Sequence, residues 1–130
     1  MGEYVASQVV KTLIRKNIKV NGASILMLGF TFKENCPDVR NTKIVDVVKS
    51  LEEYSTKVTI YDPWANSDEV KHEYGLTCHA TLDSAIKYDA IVLGVAHNEF
   101  KILDLASLKK ENAVVYDVKG VLGSLADAKL

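Results

Sequence analysis

Gly29-Phe30-Thr31-Phe32-Lys33-Glu34-Asn35-Cys36-Pro37-Asp38-Val39-Arg40-Asn41 follows an apolar run of strand length, Ala23 to Leu28, and leads into Ile44, Val47, Val48 and Leu51 at helical spacing. Strand, loop and helix in that order are the unit of an open α/β sheet, whose ligands bind at the loops leaving the carboxyl ends of its strands. A dinucleotide fold carries G-x-G-x-x-G at this place, so that bare backbone approaches a pyrophosphate. Here a single glycine stands with two phenylalanines and a lysine. That content predicts a site that holds an anion with side chains.

The rest of the chain continues the alternation. The helix after the loop is predicted to be capped near Asn41. Lys57 to Tyr61 is a β-branched strand ended by Asp62-Pro63, and Asp68 to Tyr74 a short helix. Leu76 to His79 is a short strand or extended link, Thr81 to Lys87 a helix with Leu82, Ala85 and Ile86 turned inward, and Asp89 to Val95 the strongest strand. His97 to Phe100 forms a loop, Ile102 to Leu108 holds a helical turn, Ala113 to Tyr116 is the last strand, and Ser124 to Leu130 is a tail expected to fray. Near-continuous apolar strands separated by helices imply a sheet covered on both faces. The expected fold is α/β: a Rossmann-like three-layer sandwich with a mainly parallel sheet.

Val5, Ala6, Val9, Val10, Leu13 and Ile14 make a broad helical stripe that begins almost at Met1 with no capping residue. Residues 1–20 are therefore expected to be the end of a longer linking helix, its exposed apolar face packed against a domain further upstream. Residues 21–130 form the Rossmann-like domain.

Composition narrows the partners. The 130 residues, 48% apolar and 25% charged, suffice for one core. A net charge of −1 with interspersed signs argues against nucleic acid. With no apolar run of membrane-spanning length and no signal-peptide pattern, the chain is expected to be cytoplasmic and free of membrane contact. Cys36 and Cys78 form no C-x-x-C pair and are expected to be reduced thiols. Cys78 and His79, adjacent on an extended segment, point to opposite faces, so no metal site is expected.

In such a sheet Phe30 to Arg40, Asp62 to Asn66, Ala96 to Phe100 and Asp117 to Leu122 gather along one edge. They bring Lys33, Arg40 and Lys119 within reach of a phosphate, with a helix amino terminus near Asn41 and Thr42 adding backbone donors. The competing reading leaves Lys33 and Arg40 solvated or paired with Glu34 and Asp38. Asp38 is better suited to fix the loop by an Asx turn or ion pair than to catalyse. Phe30 and Phe32 read as core residues, unless one faces outward to pack on a ligand. His97 reads as a hydrogen-bonded loop histidine in preference to an acid/base group.

The string from Gly29 to Thr42 resembles the opening of the carboxyl-terminal domain of the UDP-glucose/GDP-mannose dehydrogenase family. Met1-Gly2-Glu3-Tyr4-Val5-Ala6 is similar to the end of that family's long central helix, Tyr61-Asp62-Pro63 to its second strand end, and Asp117-Val118-Lys119-Gly120-Val121-Leu122 to its closing segment. The resemblance implies a UDP-sugar-binding domain of an enzyme that oxidises a sugar C6 alcohol to a carboxylate by two NAD-dependent hydride transfers. It assigns Phe32, Lys33 and Lys119 to the ligand, and Arg40 joins them as a candidate substrate-binding residue. It places NAD and the catalytic cysteine in preceding domains, so that no catalytic residue and no bound cofactor are expected here, and Cys36 is not the nucleophile. It implies a homo-oligomeric parent. Asn35 to Asn41 and Val95 to Phe100 look more like the branch acting on UDP-N-acetylhexosamines than the UDP-glucose branch.

Two other readings stay open at this stage. In one, the chain is a self-sufficient NAD or nucleotide module with Asp62 holding a ribose hydroxyl, although Asp62 comes 33 residues after Gly29 instead of the roughly 20 of the dinucleotide fingerprint. In the other, it is a packing or dimerisation domain whose first helix offers its stripe to a partner.

Overall fold

The computed structural model describes residues 2–130. Among them, strands β1 (Ser24–Leu28), β2 (Lys57–Tyr61), β3 (Cys78–His79), β4 (Tyr88–Leu93), β5 (Lys109–Asp117) and β6 (Ala128–Lys129) form one sheet. Its order is β3-β2-β1-β4-β5-β6, and every pair is parallel. The chain winds outward from β1 to β3, then returns to the other side of β1 to lay down β4. The crevice between the carboxyl ends of β1 and β4 is therefore the topological switch point, where open sheets take their ligands.

Alternate residues of each central strand enter different cores. Ile25, Met27, Ala90, Val92, Val114 and Tyr116 face one layer, while Leu26, Leu28, Ile91, Leu93 and Val115 face the other. This period-two split is why the strands read as continuous apolar runs. Helices α1 (Gly2–Arg15), α2 (Ile44–Glu53) and α3 (Ser67–Tyr74) contribute to the first layer, and the single turns α4 (Asn98–Lys101) and α5 (Leu105–Leu108) to the second.

The stripe on α1 is not left for a partner. Val5, Ala6, Val9 and Leu13 are fully buried against this chain's own core, Val10 is nearly so, and only Ile14 of that stripe stays exposed, at 59%. The helix lies along α2, β4 and β5. A β-carbon at Gly2 would stand 2.6 Å from Asp46 Cβ, so glycine permits the close approach of α1 to the start of α2. The expectation of an exposed docking stripe is corrected accordingly, as the helix folds back on the sheet it precedes.

Four local expectations also change. Asn41 does not cap α2: it takes a left-handed φ of 60°, and Thr42 Oγ1 accepts the Ile44 N–H at 3.1 Å. Thr81 to Lys87 is not a helix, because Asp83 Oδ1 accepts the Ala85 N–H at 2.9 Å and turns the backbone in an Asx bend that competes with a helical turn. Ala85 and Ile86 are exposed there. The tail does not fray, since Ala128 and Lys129 pair with Tyr116 and Asp117, while Asp127 accepts the Val115 N–H at 2.7 Å. The one-turn α4 stands where a loop was expected from His97 to Phe100.

At the exit of β1, Gly29 adopts φ 93° and donates its N–H to Tyr61 O at 2.9 Å. A β-carbon there would lie 2.6 Å from Val95 Cβ and 2.9 Å from Val95 N, at the mouth of the switch point. Both the handedness and the crowding demand glycine. Gly29→Ala is expected to destabilise the chain by about 2–4 kcal/mol, measured as a lower urea midpoint with an unchanged m value.

Candidate functional site

Asp62 ends β2 with its side chain fully buried. Its Oδ2 accepts the backbone N–H of Phe30 at 2.6 Å and of Thr31 at 3.1 Å, and lies 3.0 Å from His97 Nε2. Its Oδ1 accepts the N–H of Trp64 at 2.8 Å and of Ala65 at 3.2 Å. One carboxylate thus ties the loops after β1, β2 and β4 together. Burial opposes its ionisation, but the bonds from His97, Phe30 and Trp64 outweigh that effect and hold its pKa below the usual aspartate value.

His97 is fully buried, stacked on Trp64 with ring centroids 5.9 Å apart and tilted against Phe100 at 5.3 Å. Its Nδ1 accepts the Asn35 N–H at 2.9 Å, so the proton of the neutral ring sits on Nε2 and is donated to Asp62. Nε2 also lies 3.1 Å from Thr31 Oγ1, whose own proton goes to Lys33 O at 3.0 Å. Asn35 returns the link, its Oδ1 accepting the Asn98 N–H at 3.0 Å. His97 is therefore the hydrogen-bonded loop residue the sequence suggested.

This lattice decides which way the first loop points. Phe30 turns inward, fully buried and edge-on to Tyr74 at 5.4 Å, whereas Phe32 is 53% exposed. The Phe32 N–H donates to Asp38 O at 2.7 Å and closes the loop on itself. Lys33 is exposed, and no salt bridge engages it among the described residues.

Asp117, at the end of β5, builds the other half of the rim. Its buried carboxylate accepts the N–H groups of Lys119 at 3.0 Å, Gly120 at 2.8 Å and Leu122 at 2.7 Å, an Asx cradle that sets the closing segment. From it Lys119 Nζ reaches Glu34 Oε1 at 3.1 Å. Glu34's own backbone N–H, then Lys119, holds the Glu34 carboxyl below its usual range. With both partners more than a third exposed, the pair adds little stability. Its value is positional, because it sets Lys119 beside the residue that follows Lys33.

Arg40 stands apart from that pair. Asp38 Oδ1 accepts its backbone N–H at 2.9 Å and its Nε–H at 3.1 Å, the Asx turn and ion pair anticipated for Asp38. The guanidinium borders a groove lined by Pro37, Asp38, Asn66 and Glu69.

Cys36 is half-buried and Cys78 buried, its thiol pushed up to about 12 by burial and by the charge of Asp62. Cys78 faces inward and His79 outward. Among the described residues, no cluster of His, Cys, Asp or Glu could hold a metal ion, and no helix is long and apolar enough to cross a membrane.

Sequence reasoning singled out Lys33 and Lys119 but missed the lattice behind them: Thr31, Asn35, Trp64 and the structural use of Asp62 and Asp117. One signal was available. Each aspartate follows an apolar strand directly and precedes a turn within three residues, the pattern of a side chain that caps its own loop.

A family model described as "UDP-glucose/GDP-mannose dehydrogenase family, UDP binding domain" matches residues 26–124. The chain is 50% identical over 125 residues to a UDP-N-acetyl-D-glucosamine 6-dehydrogenase of Salmonella typhi, covering 94% of this chain and 29% of the relative. It is 48% identical, with the same coverage, to the enzyme of that name in Pseudomonas aeruginosa. The chain thus spans about 29% of the length of these curated relatives. In fold it is similar to an NDP-N-acetyl-D-galactosaminuronic acid dehydrogenase from Methanosarcina mazei, with a TM-score of 0.77, 23% identity, and coverage of 89% of this chain and 24% of that one. By the match over residues 26–124, which takes in β2 to β5 and both rim loops, the chain belongs to the UDP-glucose/GDP-mannose dehydrogenase family, as a UDP binding domain.

Proposed function

We propose that the rim at the carboxyl ends of β1, β4 and β5 binds the UDP-sugar of a 6-dehydrogenase, with Phe32, Lys33 and Lys119 as its contacts and Arg40 at its flank. The observation that carries this reading is the 3.1 Å bridge from Lys119 to Glu34, which sets the last loop against the first and brings two cationic segments to one edge. The exposed Phe32 ring offers an apolar surface beside them. A diphosphate needs such charge, and a base or sugar ring such a surface.

In the longer protein the substrate is a UDP-N-acetylhexosamine, in line with the names of the relatives 50% and 48% identical. NAD and the catalytic cysteine are supplied by preceding domains, and the C6 hydroxyl is oxidised to the uronate in a cytoplasmic homo-oligomer. This chain contributes binding. Cys78 is too buried and too weakly acidic to act as a nucleophile, and among the described residues no histidine is hydrogen-bonded to Cys36.

A ribose-binding role for Asp62 in a self-sufficient NAD module is disfavoured, because the carboxylate is buried and already accepts from five internal donors. Titrating the chain separately with UDP-N-acetylglucosamine and NAD tests the choice. A saturable response to the UDP-sugar with none to NAD is expected; the reverse overturns the reading.

A further inference from the structure

We propose that the Glu34 carboxylate stands, in the free chain, where a phosphoryl oxygen of the ligand goes, and that the ligand must displace it: Glu34 limits the affinity of this site by covering Lys119. The proposal deepens the UDP-sugar reading and rests on it.

Three donors from three loops surround that carboxylate. Lys119 Nζ, from the closing segment after β5, lies 3.1 Å from its Oε1. The backbone N–H of Glu34 itself, then Lys119, and lastly the backbone N–H of Ala96 beyond β4 favour its charged form. Neither N–H donates to a backbone carbonyl among the described residues. An ammonium and two free main-chain donors that converge at the mouth of a parallel sheet are the groups that receive a phosphate oxygen. Here a side chain of the loop itself fills the place. The occupant is held loosely, because both side chains of the pair are more than a third exposed. A diphosphate offers more charge and more oxygens than one carboxylate, and could not share the place with it without repulsion.

The rim keeps its form without the bridge. Asp117 fixes the segment that bears Lys119 through the N–H groups of Lys119, Gly120 and Leu122. The first loop is held by Asp62 at Phe30 and Thr31, by Asp38 O at Phe32, and by His97 and Asn98 at Asn35. Neutralising Glu34 therefore frees Lys119 and leaves both loops in place. The two cations of the rim differ in this respect, since Lys33 forms no salt bridge among the described residues and has no partner to give up.

Isothermal titration with UDP-N-acetylglucosamine compares the wild-type chain with Glu34→Gln, Lys119→Ala and the double variant. Glu34→Gln is expected to bind about three- to tenfold more tightly than the wild type, the opposite of what a residue that holds the ligand would show, and to unfold at the wild-type urea midpoint. In the Lys119→Ala background the same substitution should gain less than about twofold, because the cation it frees is gone. Weaker or unchanged binding by Glu34→Gln, in a wild type that binds the probe, overturns this proposal alone. An equal gain with and without Lys119 also overturns it, since the effect is then one of overall charge. A chain that responds to the probe neither as wild type nor as Glu34→Gln overturns the UDP-sugar reading and this proposal with it. Where the Lys119 variants bind too weakly to compare, carbon-13 NMR of the wild type decides: the Glu34 carboxyl resonance should move with the same midpoint as the Lys119 amide when the probe is added, and a carboxyl resonance that stays in place at saturation overturns the proposal.

Discussion

Asp62→Ala is expected to lower stability by about 3–5 kcal/mol, and with it the thermal midpoint by on the order of 10–20 °C. Truncation removes the acceptor for four backbone N–H groups and His97 Nε2, around a carboxylate that is itself closed to solvent. Each buried donor left without a partner costs more than a hydrogen bond contributes when made. The loss is concentrated where three loops meet, so ligand binding falls with stability. The same carboxylate carries an acid signature. Its folded pKa lies below its unfolded value, so its contribution is complete above about pH 4 and is lost as the pH falls through the folded value. Asp62→Asn, which cannot titrate, should show a shallower loss of stability in acid. A variant as stable as the wild type, with the same acid limb, would remove Asp62 from the centre of this architecture.

Lys33→Ala is expected to weaken UDP-N-acetylglucosamine binding roughly ten- to a hundredfold, the equivalent of one charge-assisted hydrogen bond of about 1.5–3 kcal/mol. Stability should change by less than about 0.5 kcal/mol, because the side chain is exposed and forms no salt bridge among the described residues. That separation of effects distinguishes Lys33 from Asp62, where binding and folding fail together. Lys119→Ala should act more weakly at first, since Lys119 begins bonded to Glu34 and must exchange that partner for the ligand. Isothermal titration and urea unfolding on the same samples check both statements.

The fold was legible because its central strands are buried on both faces and its loops carry the turn residues. Ile25 to Leu28 and Ala90 to Leu93 could hardly be anything but inner parallel strands. The failures lay where short segments meet competing local bonds. Thr81 to Lys87 has an apolar spacing suited to a helix, but Asp83 turns the backbone before one can form. Residues 128 and 129 look like a tail because a two-residue strand has no periodicity, and only the exposed edge of β5 gives it a place. The first helix showed its stripe but not its partner, since periodicity does not say which apolar surface a helix will cover. At the rim, charge was visible and support was not. Lys33 and Lys119 stand out in the sequence, whereas the lattice of Asp62, His97, Thr31 and Asn35 depends on three loops far apart in the chain meeting at one point.

Residue-resolved NMR of the nitrogen-15-labelled chain during titration with UDP-N-acetylglucosamine bears most directly on whether side-chain cations at this edge hold an activated sugar. The amides of Phe32, Lys33 and Glu34 should shift together with those of Lys119 and Gly120, and NAD should leave them unmoved. Shifts confined to α1 and α2, or a saturable response that spares both Lys33 and Lys119, would contradict it.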